Sequence, residues 1–248
     1  MTLPKWITDN LVPIIGLELR HVGKVRDTYV LPDEPDKMLV VTSDRISIYD
    51  FMLPAEVPGK GEILNSLNIF WRRRFDSFFL HDKCSSGANI DCALPSHLLD
   101  RADLQKRATV VHRLKMLEIE AIVRGYLTGS GLAAYNEKTS LPGCPGQICG
   151  QSLPPHLRDG SMLPYPIFTP TTKATVGHDE HITAEYVAVT HGSEPERLAL
   201  KLFSAGAQYA RERGIILADT KFEFGRDPSG RLIIADEVCT PDSSRFWD

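Results

Sequence analysis

Cysteine is scarce and poorly spaced for structural work: Cys84, Cys92, Cys144, Cys149 and Cys239 make an odd set of five, with no C-x-x-C among them. That excludes a disulfide framework or a zinc knuckle as the organising device and fits a reducing cytoplasm. Long apolar runs are missing too. None approaches the roughly 20 residues that span a bilayer, and Met1-Thr-Leu-Pro-Lys-Trp6 lacks the apolar core of a signal peptide. Nor is there an excess of positive charge, since 28 Lys and Arg face 32 Asp and Glu for a formal net charge of −4. Apart from Arg72-Arg-Arg74 the basic residues are scattered, so neither nucleic acid nor a membrane is an expected partner. Three catalytic motifs are absent as well. There is no G-x-x-x-x-G-K-[ST] and no H-E-x-x-H, and Thr128 stands where a nucleophile elbow around Ser130 would need glycine.

What is present is a chain of 248 residues with 42% hydrophobic content, enough for one large or two modest domains with a real core. Its most informative stretch lies near the C-terminus. Ile215 to Gly225 and Leu232 to Val238 read as two strands of a hairpin, with Asp227-Pro-Ser-Gly230 in the reversal. Side chains alternate across a strand, so Asp219, Lys221 and Glu223 share one face while Thr220, Phe222 and Phe224 share the other. Asp236 joins the charged face only if the register sets it beside Lys221 or a same-face neighbour. Such a face either holds a divalent cation with the anion it accompanies, or is a solvated, salt-bridged surface.

Upstream, Leu19 to Leu31 reads as strand on both sides of Gly23, with Lys24 and Arg26 close behind; this is either a flap over phosphates or a plain turn. Lys37 to Thr42 is a buried strand running into the polar patch Ser43 to Asp50. Glu62 to Phe79 places Leu64, Leu67, Trp71, Phe75 and Phe78 at helical spacing, with Arg72 to Arg74 partly on the wet face. Thr109 to Leu114 and Leu117 to Val123 read as strands whose connector is a natural hinge, and His112 is expected in the core. A helix is expected from about Leu132, a long Pro- and Gly-rich excursion over Leu141 to Pro166, and a helix cap from Gly177 to His181. Ser193-Glu-Pro-Glu196 reads as a capping box for a helix with Leu198, Leu202, Ala205 and Tyr209 inward, stopping at Gly214.

Several blocks, in order, resemble one family: SAICAR synthetase, or phosphoribosylaminoimidazole-succinocarboxamide synthase. They are Gly23-Lys-Val-Arg-Asp27, Ser43-Asp-Arg-Ile-Ser47 with Asp50, Glu120 to Gly131, Phe168-Thr-Pro-Thr-Thr-Lys-Ala174, His178-Asp-Glu180, Asp219 to Gly225, and Asp236-Glu-Val238 with Thr240 to Arg245. The resemblance implies an ATP-dependent, amide-forming ligase of purine biosynthesis. It would join L-aspartate to carboxyaminoimidazole ribonucleotide (CAIR) through an acyl phosphate, releasing ADP and phosphate. It also implies a two-lobed α+β fold: an antiparallel, nucleotide-covering lobe over residues 1–115, a mixed α/β substrate- and metal-binding lobe over residues 116–248, and an ATP cleft between them.

By that resemblance Gly23, Lys24, Val25 and Arg26 cover the ATP phosphates, Leu114 and Lys115 lie at the adenine edge, and Glu223 and Asp236 bind Mg²⁺. Lys221, Asp219 and Arg245 are the implied catalytic residues. Arg124, Ser130 and Arg245 grip phosphate and carboxylate, while Ser47, Asp50, Lys173 and Asp179 surround the imidazole and the incoming aspartate. Two departures stand out. Ile48 replaces a small residue, and the chain ends at Phe246-Trp-Asp248, where family members continue through further helices, so it is expected to be truncated or naturally short. A small-molecule phosphotransferase and a nucleotide-binding protein without turnover are the competing readings.

Overall fold

A computed structural model describes residues 17–48, 51–79, 90, 91, 98, 101–138, 146–173 and 179–248. The chain divides into two compact units, Met1–Phe70 with Ala88–Arg113, and Trp71–Gly87 with Leu114–Asp248. Strands and helices are mixed along both, and every strand pairing among the described residues is antiparallel, in keeping with the expected α+β class.

The first unit holds β1 (Leu19–Val22), β2 (Arg26–Val30), β3 (Lys37–Thr42), β4 (Arg45–Ile48), β5 (Phe51–Glu56), the start of helix α1 (Lys60–Phe79), β6 (Ile90–Asp91), α2 (Ala102–Gln105) and β7 (Ala108–His112). Five of these strands form one sheet in the order β1-β2-β3-β7-β6. Tyr29, Leu39 and Val110 alternate inward from it and meet Leu98 and Leu104, which closes a small core. Helix α1 begins two residues before the expected Glu62. Its cap comes from elsewhere in the chain: Asp44 accepts the N–H groups of Gly59 at 3.2 Å and Gly61 at 2.8 Å. Burial works against the Asp44 carboxylate, but these two donors and Arg107 hold it below the ordinary range. His112 corrects an expectation. It is half exposed, 3.6 Å from Asp36, because it ends an outer row of β7 and does not point into the core.

The second unit is built on β14 (Ile216–Arg226), the longest strand. Around it lie β8 (Lys115–Met116), β9 (Ile119–Leu127), α3 (Gly129–Lys138), β10 (Gly146–Ile148), β11 (Gln151–Leu153), β12 (Ser161–Phe168), β13 (Thr171–Thr172), α4 (Ala184–His191), α5 (Glu194–Arg211), β15 (Leu232–Ala235) and β16 (Ser244–Trp247). The sheet runs β12-β9-β14-β15, with β13 on β9 and both β16 and β8 on β14. Phe222 and Phe224 leave one face of β14 to pack with Leu198, Leu202 and Phe203 of α5 and with Trp71 and Phe75 of α1. Each such buried aromatic contributes up to about 3 kcal/mol through removal of its surface from water.

Four local expectations change. Ser193 makes no side-chain cap bond, since its own backbone is already helical; α5 starts on Glu194 and Pro195 instead. The cap of α4 is Thr183, which accepts from Tyr186 N–H, and His181 upstream bridges to Thr171 in extended form. Helix α3 starts at Gly129, three residues before Leu132, so Ser130 lies in its first turn. The Pro-rich excursion is ordered structure where described: β10, β11 and β12 pack Ile148, Leu153, Leu163 and Ile167 against Leu127 and Tyr135, whose hydroxyl donates to Pro154 O at 2.7 Å. Pro164 and Pro166 cannot donate to a ladder, and the β12–β9 register shifts there, between Met162 and Ile167.

The strand β8 lies so close over β14 that a Cβ on Gly225 would meet Leu114 Cβ at 2.6 Å and Met116 sulfur at 3.2 Å. Gly225→Ala must therefore push Leu114 off the sheet and is expected to lower stability by about 1–3 kcal/mol. Urea unfolding of the variant checks this.

Candidate functional site

In the first unit the polar patch is a scaffold for the glycine turn. Gly23 N–H closes the β1–β2 turn on Arg26 O at 2.7 Å, and a Cβ at Gly23 would sit 2.6 Å from that oxygen, so only glycine fits. Arg45 is buried and paired with Asp27 at 2.6 and 2.9 Å, and it also donates to Gly23 O at 3.1 Å and Lys24 O at 3.3 Å. Ser43 hydroxyl and N–H both donate to Val25 O at 2.8 Å. Three successive carbonyls are thus turned onto Ser43 and Arg45. Because a trans peptide sets N–H opposite C=O, the N–H groups of Lys24 and Val25 face the other way, as an anion-binding nest requires. Arg45 was legible as part of a motif but not as the clamp of this turn, because its partners lie about twenty residues upstream. Ser47 stands on β4 opposite Met52. Asp50 lies outside the described residues.

The second unit brings four expected residues together. Arg124 on β9 and Asp219 on β14 are register partners, as are Asp219 and Arg245 on β16. Asp219 Oδ2 accepts from Arg124 at 3.0 Å and from Arg245 at 2.8 Å. Arg124 also donates to Thr169 Oγ1 at 2.9 Å and to Ser130 Oγ at 3.0 Å. Burial pushes the Asp219 carboxyl up and the Arg124 guanidinium down, each partly restored by the other. Arg124 is 2% exposed, whereas the Arg245 side chain keeps 45% of its surface and faces outward. Two glycines make room: a Cβ at Gly129 would come within 2.5 Å of Arg245, and one at Gly131 within 2.8 Å of Arg124. The first turn of α3 therefore meets two guanidiniums that share one carboxylate, a cationic site suited to phosphate or carboxylate.

Further along the same face the charge reverses. Lys221 donates to Glu120 at 2.6 Å, and Lys173 donates to Glu223. Burial opposes the Lys221 ammonium, but Glu120, with Glu223 and Asp236 behind it, holds its pKa above the ordinary value. Glu223 goes up: burial and then the Asp236 charge raise it, against the pull of Lys173 and Lys221. Asp236 reaches this cluster in an unexpected way. Glu223 pairs with Ala235, so a continued strand would set Asp236 opposite Phe222, on the core face. Instead β15 stops and Asp236 adopts φ +52°, which turns it out of the core. Arg72, expected partly on the wet face of α1, is buried and donates to the carbonyls of Asp236 and Ile234.

The remaining expected positions are more dispersed. Leu114 and Lys115 adjoin the far end of β14, where Arg226 pairs with Lys115. Asp179 is exposed and follows residues outside the description. Burial pushes the Cys239 thiol up to about 12, which marks it as inert.

A carboxylate raised in the folded state binds more protons there than in the unfolded chain. Glu223 therefore lowers stability as pH rises from the ordinary carboxylate range through its raised value. Without bound ligand, Glu223→Gln is expected to melt higher than the parent by roughly 2 °C at neutral pH, with the gain shrinking towards pH 4. Thermal melts across that range check the sign.

The SAICAR synthetase family model matches residues 19–248. A phosphoribosylaminoimidazole-succinocarboxamide synthase of Thioalkalivibrio sulfidiphilus is 48% identical, over 94% of this chain and 77% of its own length. That of Thermobifida fusca is 47% identical, over 95% of this chain and 73% of its own. Among solved structures, SAICAR synthase of Saccharomyces cerevisiae complexed with SAICAR superposes with a TM-score of 0.79 at 38% identity, covering 95% of this chain and 78% of that one. A SAICAR synthetase in complex with ADP gives 0.67 at 26% identity, over 93% and 84%. On this similarity in sequence and fold, the chain belongs to the SAICAR synthetase family.

Proposed function

We propose that this chain joins L-aspartate to the carboxylate of CAIR, converting ATP to ADP and phosphate and yielding SAICAR. One observation carries the reading. A single strand face presents a two-guanidinium anion grip around Asp219 and, four residues on, a carboxylate pair, Glu223 and Asp236, flanked by Lys221 and Lys173. Relatives that bind SAICAR and ADP support both halves of it.

In the first unit, the Lys24 and Val25 amides with the Lys24 and Arg26 side chains receive ATP phosphates. The backbone at Leu114 and Lys115 takes the adenine edge. In the second unit, Arg124, Arg245 and Ser130 hold the ribonucleotide's anionic groups, and Asp219 keeps the two guanidiniums aligned. Ser47, Asp50 and Asp179 serve the imidazole and the aspartate.

Among the described residues no group of three His, Cys, Asp or Glu side chains could hold a metal. A lone pair of hard carboxylates suits an ion that completes its shell with phosphate oxygens and water, as Mg²⁺ does. Glu223 and Asp236 would hold it, and when bound it neutralises charge on the phosphates. Lys221 adds a fixed cation near the transferred phosphoryl group, and Lys173 moves from Glu223 towards substrate.

A carboxylate oxygen of CAIR attacks the γ-phosphorus and the bond to the β-bridging oxygen breaks, releasing ADP and leaving an acyl phosphate. The amine of aspartate then attacks the acyl carbon. Phosphate departs with its bridging oxygen, and the nitrogen sheds a proton as the amide forms. No covalent nucleophile of the protein is needed, consistent with the burial of Cys149 and Cys239, neither of which is in a disulfide, as suits a reducing cytoplasm.

A coupled ADP-release assay tests the whole reading. Release is expected only with ATP, CAIR and aspartate together, and Glu223→Gln is expected to lower it more than about a hundredfold without unfolding the chain. A phosphorylated product formed without aspartate would instead support a phosphotransferase, and ADP binding with no turnover would leave only a nucleotide-binding protein.

A further inference from the structure

Asp236 occupies the left-handed backbone region, which an L-residue adopts only at a steric cost. Aspartate tolerates it better than most residues, and a continued strand would instead set its carboxylate opposite Phe222, which is fully buried. Something must hold the turned-out state. Arg72 bridges the peptide groups on both sides of the turn: its fork donates to Ile234 O at 3.5 Å and to Asp236 O. Ala235 lies between those carbonyls, so fixing both fixes the peptide planes through which β15 becomes the turn.

Arg72 is only 5% exposed, and a buried guanidinium is costly where a neutral donor would serve two carbonyls. These two hydrogen bonds go to backbone carbonyls on either side of Ala235 and not to the Asp236 carboxylate. We infer that Arg72 is a positioning residue: it holds the Asp236 carboxylate beside Glu223 and so sets how strongly the site demands a divalent cation. This rests on the cation reading of that pair.

Calorimetric binding of ADP to the full chain, with Mg²⁺ and with EDTA, tests it in R72M, R72K, D236N and the R72M/D236N double variant. The parent and D236N are compared first, because retained Mg²⁺-dependent tightening in D236N would refute the cation reading itself and this inference with it. Given loss in D236N, R72M is expected to lose about tenfold of the tightening while its affinity in EDTA stays within about twofold. R72K should recover part of the loss. The double variant should be no worse than D236N, since both changes act through one carboxylate. Unchanged tightening in R72M, additive losses, or an equal loss in EDTA would each overturn the role of Arg72. R72Q carries the same comparison, with the same reading of each result, if methionine prevents folding.

Discussion

Strand β14 is hydrogen-bonded on both sides along its length, to β9 and β8 on one and to β16 and β15 on the other, and it cannot slide without breaking all four pairings. That constraint governs the second unit. One face of the strand must supply the hydrophobic core through Phe222 and Phe224. The other is left to Asp219, Lys221 and Glu223, three charges that have lost much of their water. Each charge is answered from a neighbouring element: Asp219 by Arg124 and Arg245, Lys221 by Glu120, Glu223 by Lys173. Ion pairs buried to this degree return little net stability, and apolar residues of similar volume often serve the fold as well or better. Their presence on the most tightly held strand is understood as chemistry placed where the scaffold is stiffest.

The face is polarised along the strand. Around Asp219, two guanidiniums share a single carboxylate, and the start of α3 adds unpaired amide dipoles, so the local excess is positive. Around Glu223 the second carboxylate of Asp236 tips the balance the other way and raises the energy of the doubly ionised state. Four residues of extended chain separate the two regions, about 13 Å. In the proposed reading that spacing is spanned by a ligand with an anionic group at one end and a cation-bridged phosphate at the other. The first unit applies the same economy, with Arg45 and Ser43 drawing three carbonyls to one side so that amides of the glycine turn face the other.

Period-two alternation was enough to sort β14 into a core face and a charged face, and the glycine turn at Gly23 and the inward stripe of α5 were readable from local pattern. What escaped was set by distant partners. The cap of α1 is Asp44, fifteen residues before Gly59; the clamp of the Gly23 turn is Arg45; the anchor of Asp236 is Arg72, more than 160 residues away. Local signals even misled where tertiary contacts won. Ser193-Glu-Pro-Glu196 has the letters of a capping box but not its geometry, and the Pro-rich stretch before Phe168 folds into strands because Tyr135 and Leu127 offer it a core. The most instructive case is Asp236. Counting residues around the hairpin places it on the wrong face, and a single left-handed residue, which no periodicity announces, moves it to the right one.

In the proposed mechanism Glu223 and Asp236 act together as the seat of a phosphate-bound cation. Crystals of the chain grown with ADP and Mn²⁺, with the ion located by its anomalous scattering, test this directly. One peak is expected, in direct contact with an oxygen of Glu223, an oxygen of Asp236 and the nucleotide phosphates, with Lys173 displaced from Glu223. A peak that touches neither carboxylate, with Lys173 still on Glu223, would contradict it.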